Sequence, residues 1–335
     1  MVSARQMIAL LTGLNEGDDE QVYAIALQVA ATEARRGRVE VANELQKLVA
    51  VARSKRDSHW SPEVRRGGKV VVPITQPRGE LQNLLFSSAP STTLNSLSLA
   101  PEIKNRLEQF IRQQRERDRL RSFNRTPASR LLLMGPPGSG KTLTASALAG
   151  ELHLPLHVIR LDTVITRFMG ETAAKLRLVF DQAGTNRGIY LFDEFDAIGS
   201  KRTADNDVGE MRRVLNSFLQ FMEEENSSDS VIIAATNHPQ LLDEALFRRF
   251  DDIIRYDLPD AVMIEQVLRD RLLSFDTASV DWGRARQSGL SLSQAEIVKA
   301  ADEVIRDMII RKQKAVSSAA LVSALEYRRN LAEPK

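Results

Sequence analysis

The residues best suited to chemistry in this 335-residue chain lie in a few short stretches. The first is RLLLMGPPGSGKT, Arg130 to Thr142, which contains the pattern G-x-x-x-x-G-K-T from Gly135 to Thr142. Gly135, Gly138 and Gly140 let backbone N–H groups turn inward around phosphate oxygens, with Pro136, Pro137 and Ser139 completing the loop. Good helix formers follow from Leu143 onward, in LTASALAGEL, and place the positive end of a helix dipole behind the loop. Lys141 is then expected to reach β- and γ-phosphates, and Thr142 to offer its hydroxyl to Mg²⁺.

Two further stretches supply what phosphoryl transfer to water needs. In IYLFDEFDAIG, Asp193 and Glu194 directly follow four apolar residues, where a buried strand delivers acids to the carboxyl edge of a sheet. Asp193 suits the Mg²⁺ shell, and Glu194 suits a general base that polarises the attacking water. In VIIAATNHP, Asn237 is a neutral amide able to orient that water without cancelling the metal's charge. Plainer readings exist: acids at a strand end can start a turn, and an asparagine before Pro239 can cap one. Beyond lies ALFRRFDD, with Arg248 and Arg249 adjacent between two phenylalanines. On its own this reads as a solvated basic turn paired with the acids that follow it.

Positioning these groups requires alternating strands and helices. Apolar runs at Leu131 to Met134, Ile189 to Phe192 and Val231 to Ala235 are each followed by helical or loop sequence, which argues for a parallel sheet covered by helices. This α/β domain is expected over residues 94–259. Residues 1–56 show helical spacing and are expected to form a small bundle, whereas 57–93, rich in proline, glycine and mixed charge, reads as a linker. From 260 to 335 apolar residues return to helical spacing, in AVMIEQVLRDRLL, SQAEIVKAADEVIRDMII and SSAALVSALEYRR, predicting a second, all-helical domain.

Composition narrows the function classes. The chain is 43% hydrophobic and 27% charged, an ordinary globular balance. Its 46 Lys and Arg against 44 Asp and Glu leave a formal charge of +2, too balanced for a protein whose main business is electrostatic grip on nucleic acid, although a local basic patch remains open. The absence of cysteine removes disulfides and thiolate metal sites, and the four histidines show no ligand spacing. No apolar run approaches a membrane span, so a cytoplasmic protein with no membrane association is expected.

Taken in order, GPPGSGKT, LFDEFDAIG, AATNHPQLLDEALFRRFD and GLSLSQAEIVKAA resemble the AAA ATPases, and within them the unfolding and remodelling branch that includes katanin, spastin and the membrane-bound AAA proteases. The resemblance covers roughly 94–330. It implies an α/β P-loop fold with a C-terminal helical lid, Mg²⁺-dependent ATP hydrolysis, and a hexameric ring of identical subunits. It also implies that Asn237 is the sensor asparagine and that Arg248 and Arg249 are arginine fingers reaching the neighbouring subunit's γ-phosphate. Two departures stand out: Gly289 to Ala300 has no arginine, which disfavours the replication branch, and Ser139 replaces the commoner threonine, where its backbone N–H is expected to do the cradling.

The same resemblance bears on the substrate. Phe168 and Met169 form an apolar pair on a glycine-ended loop ahead of an amphipathic helix, with Leu176, Val179 and Phe180 facing inward. Exposed apolar tips need a reason, and the family pattern puts this pair in a central pore gripping an extended polypeptide; the plain alternative is that both tuck into the core. The polar stretch Ser200 to Arg213 falls lower in the same pore on that pattern. The arrangement is also similar to small bacterial AAA proteins that can be encoded beside a subtilisin-like protease. The chain itself has no HEXXH zinc motif and no protease constellation. The sequence therefore points to an ATP-driven protein unfoldase or remodeller. A nucleic-acid-associated ATPase, helping transposition or replication, is the alternative that the basic run from Arg112 to Arg130 keeps open.

Overall fold

The computed structural model describes residues 79–165, 169–199, 208–224 and 228–332. The bundle expected over 1–56 lies outside the described residues, as do Phe168, the side chain of Met169 and most of the second expected pore loop. Six strands form one sheet: β1 (Leu85–Ser88), β2 (Arg130–Met134), β3 (Leu156–Ile159), β4 (Ile189–Phe192), β5 (Val231–Thr236) and β6 (Asp252–Arg255). Their spatial order is β1-β3-β4-β5-β2-β6, with β1 antiparallel to β3 and every other pair parallel.

The central strands are continuous apolar runs because both faces of the sheet are covered. Leu131 and Leu133 of β2, Ile189 and Leu191 of β4, and Val231 and Ile233 of β5 enter one buried cluster. Their alternates Leu132, Met134, Tyr190, Phe192, Ile232 and Ala234 enter the other. Helices α1 (Pro101–Arg115) and α2 (Lys141–Leu152) bury residues in the first cluster, such as Leu107, Phe110, Ala145 and Leu148. Helices α3 (Met169–Thr185) and α4 (Val208–Glu223) close the second. There Leu176, Val179 and Phe218 are buried, and Phe180 packs against Phe192 and Phe218 with ring centroids 5.7 and 5.4 Å away.

The expected linker at 57–93 needs correction at its end. Residues 85–88 are the antiparallel edge strand, with Leu84 and Leu85 buried in the core, so the sheet domain begins before residue 94. A four-residue strand with one buried side chain is too short to reveal a period of two. The edge strand also helps enclose His157 of β3, which is 2% exposed, shares a 2.7 Å hydrogen bond with Ser87 Oγ and sits 4.7 Å from the Tyr190 ring. Burial pushes this imidazole down to about 4. Because the folded pKa lies below the usual value, the unfolded chain takes up the proton first, and stability present above about pH 6.5 is lost as pH falls toward 4. We expect acid-side melting curves to lose about 3 kcal/mol more for the wild type than for His157→Gln over that window.

Beyond Asp260 the chain forms helices α5 (Ala261–Leu272), α6 (Trp282–Gly289), α7 (Gln294–Ile310) and α8 (Ser318–Ala332), which share their own apolar core of Ile264, Leu268, Ile297, Val304, Leu321 and Leu325. Three starts are capped by side chains: Asp260 accepts from Met263 N–H, Asp281 from Arg284 N–H and Ser293 from Glu296 N–H. Each such cap contributes about 1 kcal/mol and fixes where the helix begins.

Candidate active site

The phosphate-loop sequence joins β2 to α2, at the carboxyl edge of the sheet. Its backbone takes the shape that its glycines permit: Gly138 and Gly140 have φ of +75° and +95°, in the left-handed region where a Cβ is strained. Lys141 opens α2 with its side chain 6% exposed. Its Nζ donates to the carbonyls of Gly135 and Pro136, at 2.9 and 2.8 Å, and to Ser139 Oγ at 3.3 Å. Burial lowers the lysine's pKa, and the charges of Asp193 and Asp196 oppose that shift. The expectation that Ser139 acts through its backbone alone is thus incomplete, since its hydroxyl holds the ammonium as well. Leu143, one turn into α2, stays 59% exposed at the loop.

The strand order brings the sequence-predicted groups together. β5 lies between β4 and β2, so Asn237, just past the end of β5, stands between the strand that carries Asp193 and the loop. Asp193 accepts a 2.6 Å hydrogen bond from Thr142 Oγ1. Its other oxygen accepts from the N–H of Glu194, at 3.0 Å. Glu194 is exposed and holds φ of +52°, an uncommon conformation for a non-glycine residue. The Thr142 hydroxyl and Asp193 carboxylate form a pair of hard oxygen donors of the kind Mg²⁺ prefers. Among the described residues no group of three or more His, Asp or Glu could hold a metal ion, so the donor set fits a cation that completes its shell with phosphate and water oxygens.

Three supports escaped the sequence. Thr236 Oγ1 donates to Asp196 at 2.9 Å and accepts from His238 N–H at 3.0 Å, which braces the chain on both sides of Asn237. Tyr256 OH donates to Thr144 Oγ1 at 2.8 Å and ties β6 to the loop helix. At the start of α7, Ala295 N–H donates to the carbonyl of Gly138 at 3.0 Å, and a Cβ on Gly138 would come within 2.7 Å of Ser293 Oγ. Gln294 Nε2 in turn donates to Ser98 O, at 2.9 Å. The segment that lacks an arginine therefore meets the loop through backbone and small side chains. A cleft of about 530 Å³, lined in part by Pro136, Asn237, Phe247 and Arg255, opens beside these groups.

Arg248 and Arg249 follow the helical turn Glu244–Phe247 and are both exposed. Arg249 forms an ion pair with Glu223 at the end of α4. Arg248 has no ion pair or side-chain hydrogen bond among the described residues. The acids after them are occupied elsewhere: Asp251 accepts from the N–H groups of Ser129 and Arg130, at 2.8 and 3.0 Å, and Asp252 pairs with Arg106. A basic turn neutralised by its own downstream acids is not what forms.

A glycine-lined loop between strand and helix, with a threonine hydroxyl at the start of that helix bonded to a carboxylate at the end of β4, defines a P-loop nucleoside triphosphatase. Residues 131–258 match the family model described as "ATPase family associated with various cellular activities (AAA)". The chain is 31% identical over 312 residues to the "Uncharacterized AAA family ATPase y4kL" of Sinorhizobium fredii, covering 92% of this chain and 91% of that one. It is also 32% identical to an ATP-dependent zinc metalloprotease FtsH of Methylococcus capsulatus and to FtsH 1 of Methylacidiphilum infernorum. Those matches cover 82% and 72% of this chain but only 44% and 39% of the relatives' own lengths. The chain belongs to the AAA ATPase family, and that membership implies nucleotide binding and ATP hydrolysis. Among the described residues no helix is long and apolar enough to cross a membrane.

Proposed function

We propose that this chain is an ATP-driven protein unfoldase or remodeller that works in the cytoplasm as a ring of six copies. In this reading Lys141 binds the β- and γ-phosphates, exchanging part of its present carbonyl and hydroxyl contacts for phosphate oxygens. Thr142 and Asp193 hold Mg²⁺, which when bound neutralises charge on the transferring phosphoryl group. Glu194 takes the proton of the attacking water and Asn237 orients that water. The observation that carries the ring is Arg248, an exposed guanidinium at the close of a helical turn with no acceptor among the described residues. With Arg249, which has only an exposed glutamate to leave, it supplies positive charge to the γ-phosphate on the adjacent subunit.

The remaining parts divide the work. Residues 1–56 take the client or an adaptor, the sheet domain up to 259 hydrolyses ATP, and 260–335 form the lid. Phe168 and Met169 grip an extended polypeptide in the central pore. Support for a polypeptide client comes from the resemblance to katanin and spastin and from FtsH relatives named as ATP-dependent proteases. This chain carries no HEXXH motif, so proteolysis coupled to it requires a second protein, for which a subtilisin-like serine protease is the candidate.

The test is ATP hydrolysis with and without a chemically unfolded polypeptide. The wild type is expected to be stimulated. Phe168→Ala is expected to keep its basal rate and melting temperature and to lose the stimulation. If Phe168 instead packs in the core, its truncation costs about 3–5 kcal/mol and the melting temperature drops, an outcome that removes the pore assignment.

A further inference from the structure

The basic run from Arg112 to Arg130 takes no part in the chemistry above, and the structure sorts its arginines. Arg115 is spent on Glu151, bonding the carboxylate at 3.0 Å and the carbonyl at 2.7 Å. Arg117 and Arg121, on the short helix Arg117–Ser122, both pair with Asp229, whose side chain is 11% exposed. Arg187, from the turn before β4, joins the same cluster: its Nε is buried with no hydrogen-bond partner. Burial, and then repulsion from Arg117, hold this guanidinium below its ordinary pKa against the pull of Asp229 and Asp118. Asp118 is itself 82% exposed. Three guanidiniums thus share one inward carboxylate.

Other arginines of the run are unspent. Arg119 and Arg125 are exposed, and their side chains have no ion pair or hydrogen bond among the described residues. Between them Phe123 is 74% exposed, in the turn that closes the short helix, where its N–H and that of Asn124 bond back to Leu120 and Arg121. We propose that this surface binds single-stranded nucleic acid, with Arg119 and Arg125 on backbone phosphates and Phe123 stacked on a base. Two unpaired guanidiniums flanking an exposed ring match the phosphates and the base faces of a single strand. An acidic polypeptide would use the charges equally well, but it has no π face to occupy the exposed ring. The cluster lies where β2, β4 and β5 begin, at the edge of the sheet opposite the phosphate loop, so occupancy does not compete with ATP.

This inference goes beyond the proposed function, and its test needs no turnover. Fluorescence anisotropy of the full chain with labelled oligo(dT) and oligo(U) is the measurement. With about two phosphate contacts, affinity for single strands is expected to fall about sevenfold between 50 and 200 mM salt. Arg119→Glu with Arg125→Glu should weaken binding and flatten that dependence. Phe123→Ala should cost about tenfold while leaving the salt slope unchanged, and Phe123→Tyr should restore it. A tighter complex with one oligonucleotide identifies DNA or RNA as the natural source, and equal affinities identify both. The proposal is overturned by no binding at 50 mM salt, by binding that the double arginine variant and Phe123→Ala leave untouched, or by polyglutamate displacing the oligonucleotide as readily as unlabelled oligonucleotide does. The last outcome assigns the surface to an acidic polypeptide.

Discussion

Lys141→Ala binds ATP at least about tenfold to a hundredfold more weakly than the wild type, because each charge-assisted hydrogen bond to phosphate contributes about 1.5–3 kcal/mol. Glu194→Gln behaves in the opposite way: it retains nucleotide, since the glutamate side chain makes no hydrogen bond or ion pair to the loop among the described residues, but hydrolysis falls by about 10²–10⁴, the usual contribution of a general base. Titration with a fluorescent nucleotide separates the two effects. Lys141 is buried and bonded to Gly135 and Pro136, so a melting curve on the alanine variant must accompany the titration. Unchanged affinity in a folded Lys141→Ala protein removes the phosphate-loop assignment.

The second large effect is a gain of activity on mixing two inactive proteins. Glu194→Gln keeps its arginines and loses its water-activating group; Arg248→Ala with Arg249→Ala does the reverse. Each alone is expected to be nearly inactive, because charge on the γ-phosphate is worth about 10³–10⁵ in rate where arginine fingers have been removed. In a mixed ring an intact Glu194 site meets an intact arginine pair wherever the subunits alternate in the right sense, and one complete site is rebuilt. Activity above the sum of the separate samples is the expected result. No gain, despite demonstrated co-assembly, places the arginines back on a solvated surface, where Arg249 already has its glutamate.

The core strands and the placement of the candidate phosphate loop between strand and helix were legible in the sequence for one physical reason: both depend on local patterns. A strand buried on both faces must be an unbroken apolar run, and β2, β4 and β5 appear within a residue of where those runs lie. The order of Gly135, Asp193 and Asn237 carries the candidate site because each directly follows one of these strands, and Lys141 opens the helix after the first. Edge elements leave fainter traces. β1 and β6 at the edges, and β3 beside β1, are short and partly exposed or interrupted by a polar residue such as His157, and α6 buries only Ala285, Ser288 and Gly289. Supports built from pairs distant in sequence left no trace at all. Thr236 with Asp196, Tyr256 with Thr144 and Ala295 with Gly138 become neighbours only once the chain has folded, and nothing in their local sequence announces it. The pairing of Arg249 with Glu223 belongs to the same class.

The bond from Ala295 N–H to Gly138 O also sets a mechanical ratio. It fastens the first turn of a 17-residue helix to the crest of the phosphate loop, and at 1.5 Å per residue that helix is a rod about 25 Å long. A tilt of about 10° at the fastened end therefore carries the far end, at Ile310, through about 4 Å. Because α7 shares a core with α5 and α8, the rod cannot swing without them. A small change of angle at the loop is thus magnified into a displacement about the width of a side chain at the other end of α7.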